Sequence, residues 1–200
     1  MNSQVFIFIG RSGCGKGTQA KLLMEELKKL EPERDVLYLQ TGALIREFIK
    51  GENYSAHRAK VIYDAGDRQP DFLAVNMWSN FLFDKFTGKE IIVADGTPRS
   101  LAEAGMLDTA INWMYEIKNP TVVYLNISEE SSMARLLLRG RMDDNEEDIK
   151  ERLKWFDKDV LPAVEWFRKN DYYTFLDIDG ERDVSEIHED IMRRILKLET

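Results

Sequence analysis

The chain has 200 residues, 44% of them hydrophobic and 32% charged, which suits one compact unit with a sizeable core. A net charge of −8 and a pI near 5.0 oppose nucleic-acid backbones and anionic membranes, so neither is an expected partner. One cysteine, Cys14, excludes an internal disulfide and a multi-cysteine zinc site. With no basic leader, and no apolar run near the ~20 residues of a membrane span, the expected location is cytoplasmic.

Strand-like and helix-like segments alternate along the chain. VFIFI (5–9) is a continuous apolar run, as in a strand buried on both faces. Residues 15–30 are helical in period, with Ala20, Leu23, Leu27 and Leu30 on one face and Pro32 as a stop. VLYLQ (36–40) is a second strand. Short helices at 42–50 and 54–65 are split by Gly51, Glu52 and Asn53, and a longer one at 71–86 is rich in aromatics. Trp78, Phe81 and Phe83 are expected in the core. Strands at 90–95, 121–127 and 172–178 alternate with helices at 101–116, 129–138, 146–169 and 184–198, and Pro162 should bend or break the 146–169 helix. This order predicts an α/β fold with a largely parallel sheet. Residues 41–70 show little core pattern and read as an inserted subdomain.

The first strand runs into GRSGCGKGTQ (10–19), from which a helix opens. Gly10, Gly15 and Lys16 form G-x-x-x-x-G-K, although Gly17 stands at the usual Ser/Thr position and Thr18 follows. Such glycines let backbone N–H groups face phosphate oxygens, making Gly13, Cys14, Gly15, Lys16, Gly17 and Thr18 candidate ATP contacts. Lys16 would reach the outer phosphates, and Thr18 a magnesium ion directly. An ordinary glycine-rich turn does not explain four glycines and a lysine between a strand and a helix. By itself this loop says only that a nucleoside triphosphate binds.

Three further stretches follow in order: TGALIRE (41–47), ADGTPRS (94–100) and LLLRGRMDDNEEDIKERL (136–153). With GKGTQ they resemble the adenylate kinase family of nucleoside monophosphate kinases, over nearly the whole chain. The resemblance implies a P-loop fold with a five-stranded parallel sheet in the order 2-3-1-4-5. It implies a core of 1–40 and 71–200, a helical monophosphate-binding insert at 41–70, and a lid cut to 139–142. It further implies ATP and a nucleoside monophosphate as substrates, with magnesium bound alongside ATP. Thr41, Gly42, Arg46, Gln69, Gly96, Arg99, Glu103, Arg141 and Arg152 are then expected around the monophosphate, and Arg135 and Arg139 around ATP. Lys16, Arg99, Arg139, Arg141 and Arg152 are the expected catalytic cations, the last three oriented by Asp143 and Asp144.

The chemistry agrees with this density of cations. An acceptor phosphate is already a nucleophile, so catalysis is mostly positioning and charge neutralisation. Asp95, ending the third strand, is the natural carboxylate for magnesium, through water; the plain alternative is a turn-starting aspartate before Gly96. Arg152 has its own alternative, a solvated helix charge. His57 and His188 are expected as ordinary surface or core residues. The many arginines argue against a P-loop kinase for a neutral hydroxyl acceptor and against a nucleotide-dependent switch with a protein partner.

Several positions depart from the family pattern. Ser12 replaces a proline, Ala43 the aspartate of T-G-D, and Thr97 the aromatic of D-G-F-P-R. Glu103 stands where the family has an adenine-reading glutamine, and Arg68 and Gln69 where it has an apolar pair. An ionised carboxylate only accepts hydrogen bonds. Three readings stay open: AMP as acceptor, GMP read by Glu103 and Arg68, or a Glu103–Arg68 pair that reads nothing.

Overall fold

Side chains alternate sides along the first strand, β1 (Val5–Gly10): Val5, Ile7 and Ile9 enter one core, Phe6 and Phe8 another. The two-residue period of extended backbone makes this unavoidable. In a computed structural model, which describes residues 5–139 and 146–197, β1 lies at the centre of a five-stranded sheet. Its companions are β2 (Val36–Gln40), β3 (Ile91–Asp95), β4 (Thr121–Asn126) and β5 (Thr174–Asp179). The order is β2-β3-β1-β4-β5 and every pairing is parallel, as expected from the resemblance. Residues 140–142 of the expected lid, with Arg141, Asp143 and Asp144, lie outside the described residues.

Helices α1 (Lys16–Leu30) and α9 (Val184–Lys197) cover one face, burying Ala20, Leu23, Leu27, Ile187, Ile191 and Ile195 against Phe6 and Phe8. The opposite face is covered by α4 (Asp71–Lys85) and α5 (Leu101–Asp108), with Trp78, Leu82 and Leu107, and by α8 (Leu161–Arg168), with Val164 and Phe167. A smaller cluster of Leu136, Ile149 and Leu153 joins α6 (Glu129–Arg139) to α7 (Glu146–Trp155). Between β2 and α4 stand α2 (Thr41–Phe48) and α3 (Tyr54–Asp64), the latter capped by Asn53, whose side chain accepts the Ala56 N–H at 2.9 Å.

Some expectations need correction. Leu30 is 54% exposed: a 15-residue helix is roughly 22 Å long against roughly 20 Å for a six-residue strand, so its last residue clears the sheet. Phe83 is 62% exposed rather than core. Five residues beyond Trp78, it sits about 140° round the helix from that buried face. The long helix over 146–169 is interrupted before Pro162: a π-helical stretch, Phe156–Val160, joins α7 to α8, and Pro162 falls in the first turn of α8. That turn is where a missing N–H costs least. A second π-helical stretch, Thr109–Met114, follows α5.

Candidate active site

Parallel strands deliver their C-terminal ends to one edge of the sheet, and there a cavity of about 400 Å³ opens. Lys16, Lys21, Arg46, Arg99, Arg135 and Arg139 line it, with Gly13, Gly15, Gly17, Thr18, Gly42, Asp95 and Gly96. An adjoining cavity of about 110 Å³ shares Gly42, Arg46, Arg99 and Arg139, and adds Arg152, Trp155, Tyr63 and Gln69. Four separate sequence motifs thus meet at one cleft.

Three connections hold the phosphate loop. The Cys14 N–H donates to the Arg11 carbonyl at 3.2 Å, while the Cys14 thiol is buried in the core rather than on the cleft wall. The Ser132 hydroxyl donates to the Ser12 carbonyl at 2.5 Å, mooring α6, which carries Arg135 and Arg139 one turn apart. Arg11 lies 4.3 Å over the Phe156 ring and pairs with Asp157 at 2.8 Å. Helix α1 starts within the loop, where Gly15 accepts from the Thr18 and Gln19 N–H groups, so its positive end faces the cavity. Lys16 Nζ donates to the Gly10 and Arg11 carbonyls at 2.8 and 2.7 Å, with Cys14 Sγ at 3.5 Å.

Gly17 has a steric reason. A Cβ there would lie 3.2 Å from Asp95 Oδ2 and 3.6 Å from the Tyr38 hydroxyl. Asp95, 8% exposed, accepts on Oδ2 from the Tyr38 hydroxyl at 2.9 Å and from Gln40 Nε2 at 3.2 Å. One oriented carboxylate beside the exposed Thr18 hydroxyl fits a magnesium ion that keeps most of its waters and takes phosphate oxygens. Among the described residues no cluster of three or more His, Cys, Asp or Glu could hold a metal by itself.

Arg99 is anchored by Nε, which donates to the Gly96 carbonyl at 2.9 Å, and its guanidinium lies 5.8 Å from the Trp155 ring centroid. Burial is the main cause lowering its pKa; Glu103 and Asp95 oppose that, and Arg46 and Arg152 add to it. Arg46 and Arg152 thus each add positive charge beside Arg99, a density that a bound anion would relieve.

Glu103 is placed differently from a base reader. It is fully buried, lines neither cavity, and accepts hydrogen bonds from the Thr97 hydroxyl and, at 2.6 Å, from the Arg99 N–H. Nor does it pair directly with Arg68, which binds Asp71 at 2.5 Å and Asp159 at 3.4 Å. Asp71 in turn accepts from the Ser100 hydroxyl at 2.7 Å, and Ser100 caps α5 by accepting the Glu103 N–H at 3.0 Å. Glu103 and Thr97, both departures from the family pattern, form one device that holds the loop carrying Arg99. Thr41 is also off the cleft wall, 1% exposed, its hydroxyl without a partner among the described residues. Lys21, Tyr63 and Trp155 were not anticipated. Lys21 was findable, since it lies one turn after Gly17 on the same helix face.

A pH prediction follows from Glu103. Burial raises its pKa more than the Thr97 and Arg99 hydrogen bonds lower it. The folded state then holds the proton more tightly than the unfolded chain, so Glu103 stabilises most below its unfolded pKa. That contribution is lost as pH rises through the folded value. Glu103→Gln should flatten this decline in urea titrations across pH 4 to 8 and leave the AMP-to-GMP preference unchanged. A shift of preference toward AMP would restore the base-reading role.

Comparison with known proteins agrees with this geometry. The family model described as "Adenylate kinase" matches residues 8–172. The chain is 34% identical over 191 residues to the adenylate kinase of Prochlorococcus marinus strain MIT 9301, covering 94% of this chain and 97% of that one. It is 30% identical over 181 residues to adenylate kinase 1 of Nostoc sp. strain PCC 7120, covering 90% and 92%, and 30% identical over 200 residues to the adenylate kinase of Oenococcus oeni, covering 98% and 100%. With its phosphate loop, parallel sheet and arginine-lined cleft in that arrangement, the chain belongs to the adenylate kinase family.

Proposed function

We propose that the protein transfers the terminal phosphoryl group of ATP to AMP, giving two ADP. The observation that carries this reading is the convergence of Arg46, Arg99 and Arg152, beside Lys16, on two joined cavities. ATP and a monophosphate together bring about six negative charges, estimated from about −2 for a phosphate monoester at neutral pH. A hydroxyl acceptor would need far fewer cations.

In this reading Gly13, Gly15, Lys16 and Gly17 hold the ATP phosphates, with Arg135 and Arg139 on the far wall. Gly42, Arg46, Gly96, Arg99 and Arg152 hold the acceptor phosphate, with the 41–70 helices as the acceptor-binding unit. Arg141 is assigned to the transferred group on the strength of the family resemblance. Thr18 and, through water, Asp95 would hold magnesium, which neutralises charge developing on the transferred phosphates. The acceptor oxygen attacks the terminal phosphorus as the bond to the ADP leaving group breaks, with the guanidiniums fixing the line of approach. The guanylate alternative loses support, because Glu103 and Arg68, the two side chains it needs, are bonded elsewhere.

A panel of AMP, GMP, CMP and UMP offered with ATP and magnesium tests the reading. ADP formation from AMP, reversible from ADP alone, is expected. Hydrolysis of ATP with no monophosphate phosphorylated would overturn it in favour of a switch.

The described residues contain no helix long and apolar enough to cross a membrane.

A further inference from the structure

We infer that Arg11 is a positioning residue for phosphoryl transfer: its side chain, clamped by Phe156 and Asp157, fixes a carbonyl that holds the Lys16 ammonium, and so ties the phosphate loop to the end of the helix that carries Arg152. The inference rests on the kinase reading above and adds to it a residue outside the cleft wall.

Three successive loop carbonyls set the geometry. Those of Gly10 and Arg11 accept from Lys16 Nζ at 2.8 and 2.7 Å, and the Arg11 carbonyl also accepts the Cys14 N–H at 3.2 Å. That of Ser12 accepts from the Ser132 hydroxyl at 2.5 Å. Gly10 is held in the sheet opposite Leu125, and Ser12 is moored to α6. Between them Arg11 is held through its own side chain. Its guanidinium lies 4.3 Å from the centroid of the Phe156 ring, and Nη2 donates to Asp157 Oδ1 at 2.8 Å, across 146 positions of the chain. Phe156 is itself buried in the core, so the ring is a fixed platform.

Arg11 lines neither cavity and its charge is already paired, so it is not a further cation on the phosphates. The ion pair does little for stability either, because Asp157 is half-exposed and water screens such pairs. What remains is placement. Trp155, Phe156 and Asp157 are consecutive where α7 passes into the π-helical stretch. Trp155 lies 5.8 Å from the Arg99 guanidinium, while Phe156 and Asp157 hold Arg11. One turn earlier, Arg152 lines the smaller cavity. One short segment thus sets both the acceptor-side arginines and the loop that aligns Lys16. Releasing Arg11 frees a carbonyl against which Lys16 is aligned, and misplacing a positioned group by about 1 Å costs transfer on the order of a hundredfold.

A double-mutant cycle tests this, with turnover in ADP formation and ATP–magnesium affinity by calorimetry as separate readouts. Arg11→Met keeps bulk over Phe156 and removes the charge. It should lower turnover by on the order of tenfold to a hundredfold and weaken ATP binding, with KM for AMP and the urea midpoint close to wild type. Arg11→Lys should recover part of the loss, because an ammonium still meets the ring and the carboxylate. Asp157→Asn should give a smaller loss than Arg11→Met, since the ring contact remains. In a Lys16→Ala background, Arg11→Met should cost nothing further, because a residue acting through Lys16 has nothing left to position. Should Arg11→Met fail to fold, Asp157→Asn carries the same cycle. Equal losses with and without Lys16, or wild-type turnover in both Arg11→Met and Asp157→Asn, overturn the inference. If wild type phosphorylates no monophosphate, the kinase reading fails, and the cycle on ATP affinity alone decides whether Arg11 acts through Lys16.

Discussion

Lys16→Ala and Arg99→Ala are each expected to lower turnover by on the order of 10³-fold, about 4 kcal/mol of transition-state stabilisation. Lys16 is the ammonium at the mouth of the loop, held by two loop carbonyls at 2.8 and 2.7 Å and lining the larger cavity beside Thr18. Its point charge is available to whichever phosphate oxygen carries most charge as the bond to the leaving group breaks. Arg99 lines both cavities, and in the proposed transfer it would touch donor and acceptor phosphates together. Removing it leaves Arg46 and Arg152 less repelled but deprives the transferring group of its central fork. Arg99→Lys should recover only part of the loss, because an ammonium has no planar pair of donors. Initial rates of ADP formation, with circular dichroism to confirm folding, measure the effect. Activity within about tenfold of wild type in both alanine variants would remove these residues from the catalytic set.

Gly10→Ala is expected to destabilise the fold by about 3 kcal/mol or more, through backbone strain and overpacking together. Gly10 ends β1 opposite Leu125 of β4 and has φ of +150°. A Cβ there would come within 2.5 Å of the Leu125 carbonyl oxygen and 2.9 Å of Cys14 Sγ. The first obstacle is backbone in a central strand and has no rotamer to move to. Relief must come from shifting β1 or reopening the loop, and the loop carries Lys16. For a chain of this length the melting midpoint should fall by roughly 6–12 °C, with nucleotide binding weakened as well. A midpoint within about 1 kcal/mol of wild type in urea would show that the loop adapts freely.

The local rules were readable because they depend on near neighbours in the chain. The apolar run at 5–9 announced a strand buried on both faces, since such a strand has no polar side to display. Glycine spacing before Lys16 announced a phosphate loop, because only backbone free of Cβ atoms can wrap that closely. The lysine and arginines in four motifs announced an anionic pair of substrates, because charge must be balanced whatever the fold.

What depended on approach in space was less accessible. Phe83 looked like core by residue type, but the direction of α4 turned it to solvent. Glu103 looked like a base reader because its place in the sequence is that of one. Its carboxylate is instead drawn inward by the Thr97 hydroxyl and the Arg99 N–H, partners that only the fold of residues 96–103 brings within reach. Gln69 could be placed near the acceptor from its motif, but the direction of its amide is decided by the Ala59 carbonyl, ten residues earlier on a packed helix. Sequence alone therefore determined the family, the sheet and the kind of chemistry, since these follow from periodicity, backbone permissiveness and charge. Tertiary structure alone decided which buried polar groups are already satisfied within the fold, because hydrogen bonds are directional and their partners come from distant parts of the chain.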